Sequence, residues 1–269
     1  MNEQFKDKWG EILTTTQGDE FTLFVPPGHA PQTQRQLNLY SYFEYIKTMI
    51  EGRGYKDSLE MGCGRGTMSS YLNVYSGFNT RLMDLSAEAI DLARKNYELL
   101  GLEGEFHVAD SKETGLADAS VDLVCSIGLL EHLDDYDVVL RETFRILRPG
   151  GMMIHLNIPK KASIQVLNSM YRGVSSVLSD QNFKKDYYRN TDKPKDYLGH
   201  ARASGFADAF TINVCPFPII SPLSLKHDIR LTRFNKLILR VRRSVMKYPF
   251  KTSYPVAQAH FLVGTKPAA

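Results

Sequence analysis

The feature that most constrains this chain is a short apolar run, Ser58–Met61, broken by glycines at every second position: Glu60-Met61-Gly62-Cys63-Gly64-Arg65-Gly66. A plain tight turn between a strand and a helix uses one glycine. Three remove side chains along a whole stretch of backbone, so that it can turn sharply and a ligand can approach main-chain atoms. The helix that follows presents unpaired N–H groups and the positive end of its dipole. Downstream the pattern alternates regularly. Thr80–Asp84, Glu105–Asp110, Val121–Ile127 and Met152–Ile158 read as strands, and helices are expected from Ser86 to Leu100 and over Tyr136–Leu147. The last of these should stop at Arg148-Pro149-Gly150-Gly151. Such alternation requires a parallel sheet with right-handed crossovers and helices on both faces. A helix over Gln32–Glu51 precedes it, with Leu39, Phe43, Ile46 and Ile50 as an apolar stripe. Helices at Ala162–Leu178 and Lys195–Ser204 and closing strands Phe210–Val214 and Ala259–Gly264 follow it.

Composition narrows the class. The 269 residues are 43% hydrophobic and 23% charged, which argues against disorder and coiled coil. Met1–Glu11 mixes charges without an apolar run, so a secretory leader is not expected. No stretch is apolar enough to cross a bilayer. Three scattered cysteines exclude a disulfide scaffold and a thiol-rich zinc site. The seven histidines show no ligand spacing, so no metal is expected. A cytoplasmic enzyme is the expectation. Charge is uneven: Lys226–Lys251 holds nine basic residues and one acid.

The ordered motifs are more specific. Asp84 ends the second strand 18 residues after Gly66, where a carboxylate can accept both hydroxyls of a ribose. With Asp84-Leu85-Ser86, Val108-Ala109-Asp110, Val121–Ser126, Glu131-His132-Leu133 and Leu147–Gly151, the stretch Ser58–Pro159 resembles the class I (Rossmann-like) S-adenosylmethionine-dependent methyltransferases, in their small-molecule and lipid-quinone branch. The resemblance implies a doubly wound α/β fold with a mostly parallel seven-stranded sheet, the last strand antiparallel, and S-adenosylmethionine as cofactor. It also implies that Gly62, Cys63, Gly64 and Gly66 pack against the methionine part, and that Glu60 orders the loop or receives the ammonium through water. Asp84 then takes the ribose and Leu85 the adenine. Asp110 with Ser111 meets the adenine amino group, and Ser126 with Ile127 lines the methionine side. A nicotinamide dehydrogenase is the competitor, but its Gly-x-Gly-x-x-Gly places the third glycine one residue later.

Methyl transfer from a sulfonium needs alignment rather than a covalent residue. The chain lacks the Asp/Asn-Pro-Pro-aromatic signature of amino-methylating nucleic-acid enzymes. It also lacks the strand-four Asp of metal-dependent catechol-type enzymes. A metal-independent enzyme acting on O or N of a small or lipid-like molecule remains. His132 is the leading candidate base, ahead of His155. Residues 1–54 and 161–204 flank a cofactor-binding core at 55–160 and are the expected lid, with Tyr40, Tyr42, Asn157 and Tyr171 as candidate substrate contacts. Residues 205–269 complete the sheet and include Ile229–Lys247, an expected helix with one apolar and one basic face. Such a helix can touch an anionic membrane, or merely pack with its basic face in solvent. Two rivals stay open: RNA methylation through residues 226–251, and a cofactor-binding regulator without catalysis. Nucleic acid is the less favoured partner.

Overall fold

The computed structural model describes residues 9–12, 23–158, 188–214, 219–220, 223–254 and 257–268. Its centre is a seven-stranded sheet of β1 (Asp57–Met61), β2 (Asn79–Asp84), β3 (Glu105–Val108), β4 (Val121–Ile127), β5 (Leu147–Asn157), β6 (Ala207–Val214) and β7 (Ala259–Thr265). The order is β3-β2-β1-β4-β5-β7-β6, and β7 runs antiparallel to both neighbours. β1 to β5 are mutually parallel, as the alternation requires. The chain reverses its direction of travel across the sheet between β1 and β4, and such a switch point opens a crevice beyond the strands' carboxyl ends.

The sheet is accompanied by α1 (Gln34–Ile50), α2 (Thr67–Ser76), α3 (Ala87–Leu100), α4 (Tyr136–Ile146), α5 (Pro194–Ala203) and α6 (Leu225–Val245). On one face, α1 and α2 close over Leu123, Ile154 and Phe261. On the other, α4 and α5 bury Val139, Leu140, Tyr197 and Ala201 against Met153 and Leu262. The aromatic N-terminal region belongs to the first core. Tyr71 stacks on Phe43 at 5.0 Å and meets Phe24 at 4.9 Å. Its hydroxyl accepts from Val25 N (3.1 Å), while the Tyr75 hydroxyl donates to Val25 O (2.9 Å). These bonds pin residues 23–25 across α2, at the carboxyl edge of the sheet.

Three local expectations change. β5 does not wait for Met152 but starts at Leu147 and runs through Pro149-Gly150-Gly151. Pro149 falls where the β4–β5 register shifts, so its missing N–H is tolerated. A Cβ on Gly151 would lie 2.9 Å from Asp122 O, which makes glycine necessary there. β3 ends at Val108, because the Asp110 carboxylate turns back to accept from Lys112 N. The helix expected over Ile229–Lys247 begins earlier, at Leu225, and ends at Val245. The helix expected at Ala162–Leu178, and Tyr171 with it, lies outside the described residues.

Candidate active site

The glycine turn begins where β1 ends. Gly62, Gly64 and Gly66 all have positive φ (64°, 51° and 68°), a conformation that L side chains avoid. Their surroundings differ. A Cβ at Gly66 would meet Leu82 at 2.5 Å and approach Ala93 and Tyr97, so this glycine lets the turn pack on β2 and α3. Gly64 faces the crevice, where a Cβ would meet the Trp9 ring at 2.7 Å. Gly66 also N-caps α2 and has no side chain for the task. Glu60 supplies it, because its buried carboxylate accepts from Ser69 N (2.8 Å) in the first turn. Burial raises the Glu60 pKa to about 7, the Ser69 bond opposes the rise, and the Asp84 charge adds to it. Among the described residues no cation pairs with this acid.

Asp84 sits at the carboxyl end of β2. One oxygen accepts from Gly64 N (3.0 Å) and the other from Ser86 N (3.0 Å), tying the glycine turn to the start of α3. Its carboxylate still lines a cavity of about 370 Å³ with Glu60, Gly62, Cys63, Gly64, Leu85, Ser111, Ile127 and His132. The Ser111 hydroxyl is buried there without a hydrogen-bond partner among the described residues. The Cys63 thiol is held well above its ordinary pKa by burial and then by the Asp84 and Glu60 charges, so it is no nucleophile.

The opposite wall is largely apolar. Trp9, Ile12, Leu23, Leu39, Leu129 and Ile219 contribute to it, with Tyr42 beside them. Asn38 donates to Gln258 Oε1 (3.0 Å), joining α1 to the loop before β7 at this wall. Arg35 and Arg65 both reach the cavity, and burial followed by repulsion from Arg35 lowers the Arg65 pKa. Two guanidinium groups facing one cavity favour an anionic group between them.

His132 ends the 3-10 turn Leu130–His132 after β4. Its Nδ1 bonds the Tyr188 carbonyl oxygen. A carbonyl only accepts, so the proton of the neutral ring sits on Nδ1 and Nε2 is the basic nitrogen. His155 differs: it is fully buried, its Nδ1 bonds Ser126 Oγ (2.7 Å), and burial lowers its pKa to about 4.

Residues 59–155 match a family described as a methyltransferase domain. Together with the glycine turn, Asp84 and the strand order, that match decides the family. These residues form a class I S-adenosylmethionine-dependent methyltransferase domain. The chain is 32% identical over 185 residues to a fatty-acid O-methyltransferase of Mycolicibacterium smegmatis, covering 64% of each protein. It is 26% identical to a ubiquinone biosynthesis O-methyltransferase of Ralstonia nicotianae, over 68% of this chain and 75% of that protein. This chain thus spans under two thirds of the fatty-acid enzyme's length. Phosphoethanolamine N-methyltransferase 2 of Haemonchus contortus, solved with S-adenosyl-L-methionine, shares the fold. Its TM-score is 0.55 at 17% identity, covering 85% of this chain and 53% of that one.

Not every residue expected at the methyltransferase site faces the cavity. Gly66 is taken up by packing, and Asp110, one oxygen of which accepts from Lys112 N, is not among the residues lining the cavity. Ser126 is buried against His155. Tyr40 packs edge-on against Tyr71 (5.8 Å) and Tyr75 and is outside the lining, whereas Tyr42, expected beside it, lines the cavity. Asn157 is fully buried in the sheet between β4 and β7, outside the lining. Trp9, Arg35, Arg65, Ile219 and Gln258 line the site without having been expected. Of these, Trp9 and Arg35 fall within residues 1–54, the expected lid. Among the described residues no group of three His, Cys, Asp or Glu is placed to hold a metal.

Proposed function

We propose that this chain binds S-adenosylmethionine across the Gly62–Gly66 turn and methylates an oxygen of a small, amphiphilic acceptor. The residues present suit that cofactor. Asp84 would hold the ribose, and the Ser111 hydroxyl would face the base. Glu60, an acid without a cation, would meet the ammonium, and Arg35 with Arg65 the carboxylate. Bound there, the cofactor supplies a methyl group already activated on a sulfonium.

The chain's own residues do the rest. Trp9, Ile12 and Leu23 close the apolar wall and exclude water from a reaction that disperses charge. The acceptor's apolar part lies along Leu39, Leu129 and Ile219. His132 Nε2 takes the proton of the acceptor hydroxyl, and Tyr188 O holds the imidazolium that results. The observation that carries this reading is a ring base with a set tautomer in the same cavity as Asp84 and Glu60. The relatives named as fatty-acid and ubiquinone-pathway O-methyltransferases support an amphiphilic acceptor.

An intact-mass screen of carboxylic acids, phenols and amines for a one-methyl gain tests the acceptor class. With the acceptor in hand, His132→Ala should lower kcat by roughly 10²–10⁴ and leave cofactor affinity unchanged. Undiminished turnover in that variant, or gain by amines alone, rules out a base-assisted oxygen acceptor.

A further inference from the structure

Helix α6 is amphipathic in the unusual sense. The side that meets the protein is polar: Asp228 accepts from Gln34 N (2.9 Å), Lys236 donates to Pro31 O (3.2 Å) and Arg243 pairs with Glu44. Thr232 and Asn235 are buried on that side, and Leu239 is buried against Leu37. The side turned to solvent is apolar. Phe234 (58% exposed), Leu237, Val241 and Val245 (73%) form one strip, and Met246 and Tyr248 continue it past the helix end. The sequence left open an apolar face packed on the domain with a basic face in solvent; Arg233, Arg240 and Lys247 do face solvent, but the apolar strip faces it too. An exposed strip of this kind carries a hydration penalty unless something covers it.

We propose that α6 docks the protein onto a bilayer containing anionic lipids, lying in the interface with this strip among the acyl chains. The charges select that occupant. Lys226, Arg233, Arg240 and Lys247 are exposed beside the strip, and exposed Arg230 caps its amino-terminal end one turn before Phe234, where these charges would lie at headgroup depth. Lys226–Lys251 carries nine basic residues against one acid, and that acid, Asp228, is turned inward. A second copy of the chain would bring two such faces together and repel. A phosphate backbone would meet side chains without charge along the middle of the strip. The location has a consequence as well. α1 presents Arg35, Asn38, Leu39 and Tyr42 to the cavity and its adjoining face to α6, and Gln34 exchanges two 3.1 Å hydrogen bonds with Ile220 beside the cavity residue Ile219. Docking would therefore bring the apolar wall of the cavity close to the lipid surface.

This inference does not depend on methyl transfer, and its test is independent of activity. The full chain is floated with vesicles of phosphatidylcholine alone or mixed with phosphatidylglycerol. Binding is expected to the mixed vesicles, several-fold weaker to the neutral ones and falling as salt rises. Phe234→Ser with Leu237→Ser should weaken it about tenfold or more, as should Arg230→Glu with Arg233→Glu and Arg240→Glu. These side chains point away from the body, so both variants should keep the wild-type melting temperature. The proposal fails if the wild-type chain ignores anionic vesicles, or if the serine variant partitions like wild type. It fails equally if sedimentation shows a dimer that the serine variant dissolves, which assigns the strip to a second copy. Binding to RNA that outlasts the serine substitutions while vesicle binding is absent assigns the charges to nucleic acid.

Discussion

The two ends of the same sheet treat their carboxylates in opposite ways. At the amino end, Asp57 and Asp122 share Arg148 (2.8 and 2.9 Å), and Asp122 also accepts from the backbone N–H groups of Lys56 and Asp57. Burial would raise both acids, yet the guanidinium and the hydrogen bonds hold them below the ordinary carboxylate range. At the carboxyl end, Glu60 is buried with hydrogen bonds from Ser69 and Met68 but no cation among the described residues and with another acid nearby, and its pKa rises to about 7. An acid with a resident cation stabilises the fold. An acid left without one, in a cavity, is stabilised best by a ligand that brings the cation. Acidification accordingly has opposite effects at the two ends. The lowered pair contributes stability above its unfolded pKa and loses it as pH falls. Glu60, raised in the folded state, opposes folding fully above about 7, and that penalty fades as pH falls from there to the ordinary carboxylate range.

The largest expected effect on binding sharpens the carboxyl end. Asp84→Ala removes the carboxylate facing the cavity and also frees Gly64 N and Ser86 N. Charge-assisted hydrogen bonds contribute about 1.5–3 kcal/mol each, so affinity for S-adenosylmethionine should fall roughly 100-fold or more by calorimetry. Unchanged affinity would place the ribose elsewhere. Next comes Glu60. If the cofactor's ammonium meets it, binding is coupled to proton loss below its pKa, and affinity should tighten about tenfold from pH 6 to pH 8. Glu60→Gln should flatten that profile, while a wild-type profile that is already flat removes the ammonium from this acid.

The carboxyl end also shows where sequence reading stops. The strand–helix alternation, the Gly62–Gly66 turn and Asp84 were legible because each is local: a spacing along the chain dictates backbone geometry and places one side chain at a strand end. Gly66, Asp110 and Tyr40 carry the right residue type at the right spacing, yet neighbours remote in sequence take up Gly66 and Tyr40, and Asp110 stands outside the cavity lining. Leu82 occupies the space beside Gly66, and Tyr71 and Tyr75 take Tyr40. The apolar wall is assembled from Trp9, α1, Ile219 and Gln258, more than 200 residues apart, so no local pattern announces it. For α6, the periodicity showed two faces but not which one turns inward. That depends on Gln34, Pro31 O and Glu44, polar partners that only tertiary structure brings together.

The smallest effect tests the amino end. Arg148 is 39% exposed, so its attraction to the two acids is partly screened by solvent. Removing it nevertheless leaves Asp57, 19% exposed, with the Asn79 amide, and Asp122, 16% exposed, with two backbone donors, and neither with a guanidinium. Arg148→Ala should therefore cost about 1 kcal/mol at neutral pH, read as a fall of roughly 2–4 °C in Tm for a chain of this size. The gap between wild type and variant should close as pH falls through the carboxylate range, because protonation removes the charge that the arginine held. Cofactor affinity should stay within about twofold of wild type, since Arg148 lies at the opposite end of β1 from the glycine turn. A loss of affinity as large as that in Asp84→Ala would mean that the two ends of the sheet act as one unit, and the contrast between a fold-holding acid and a ligand-awaiting one would no longer stand.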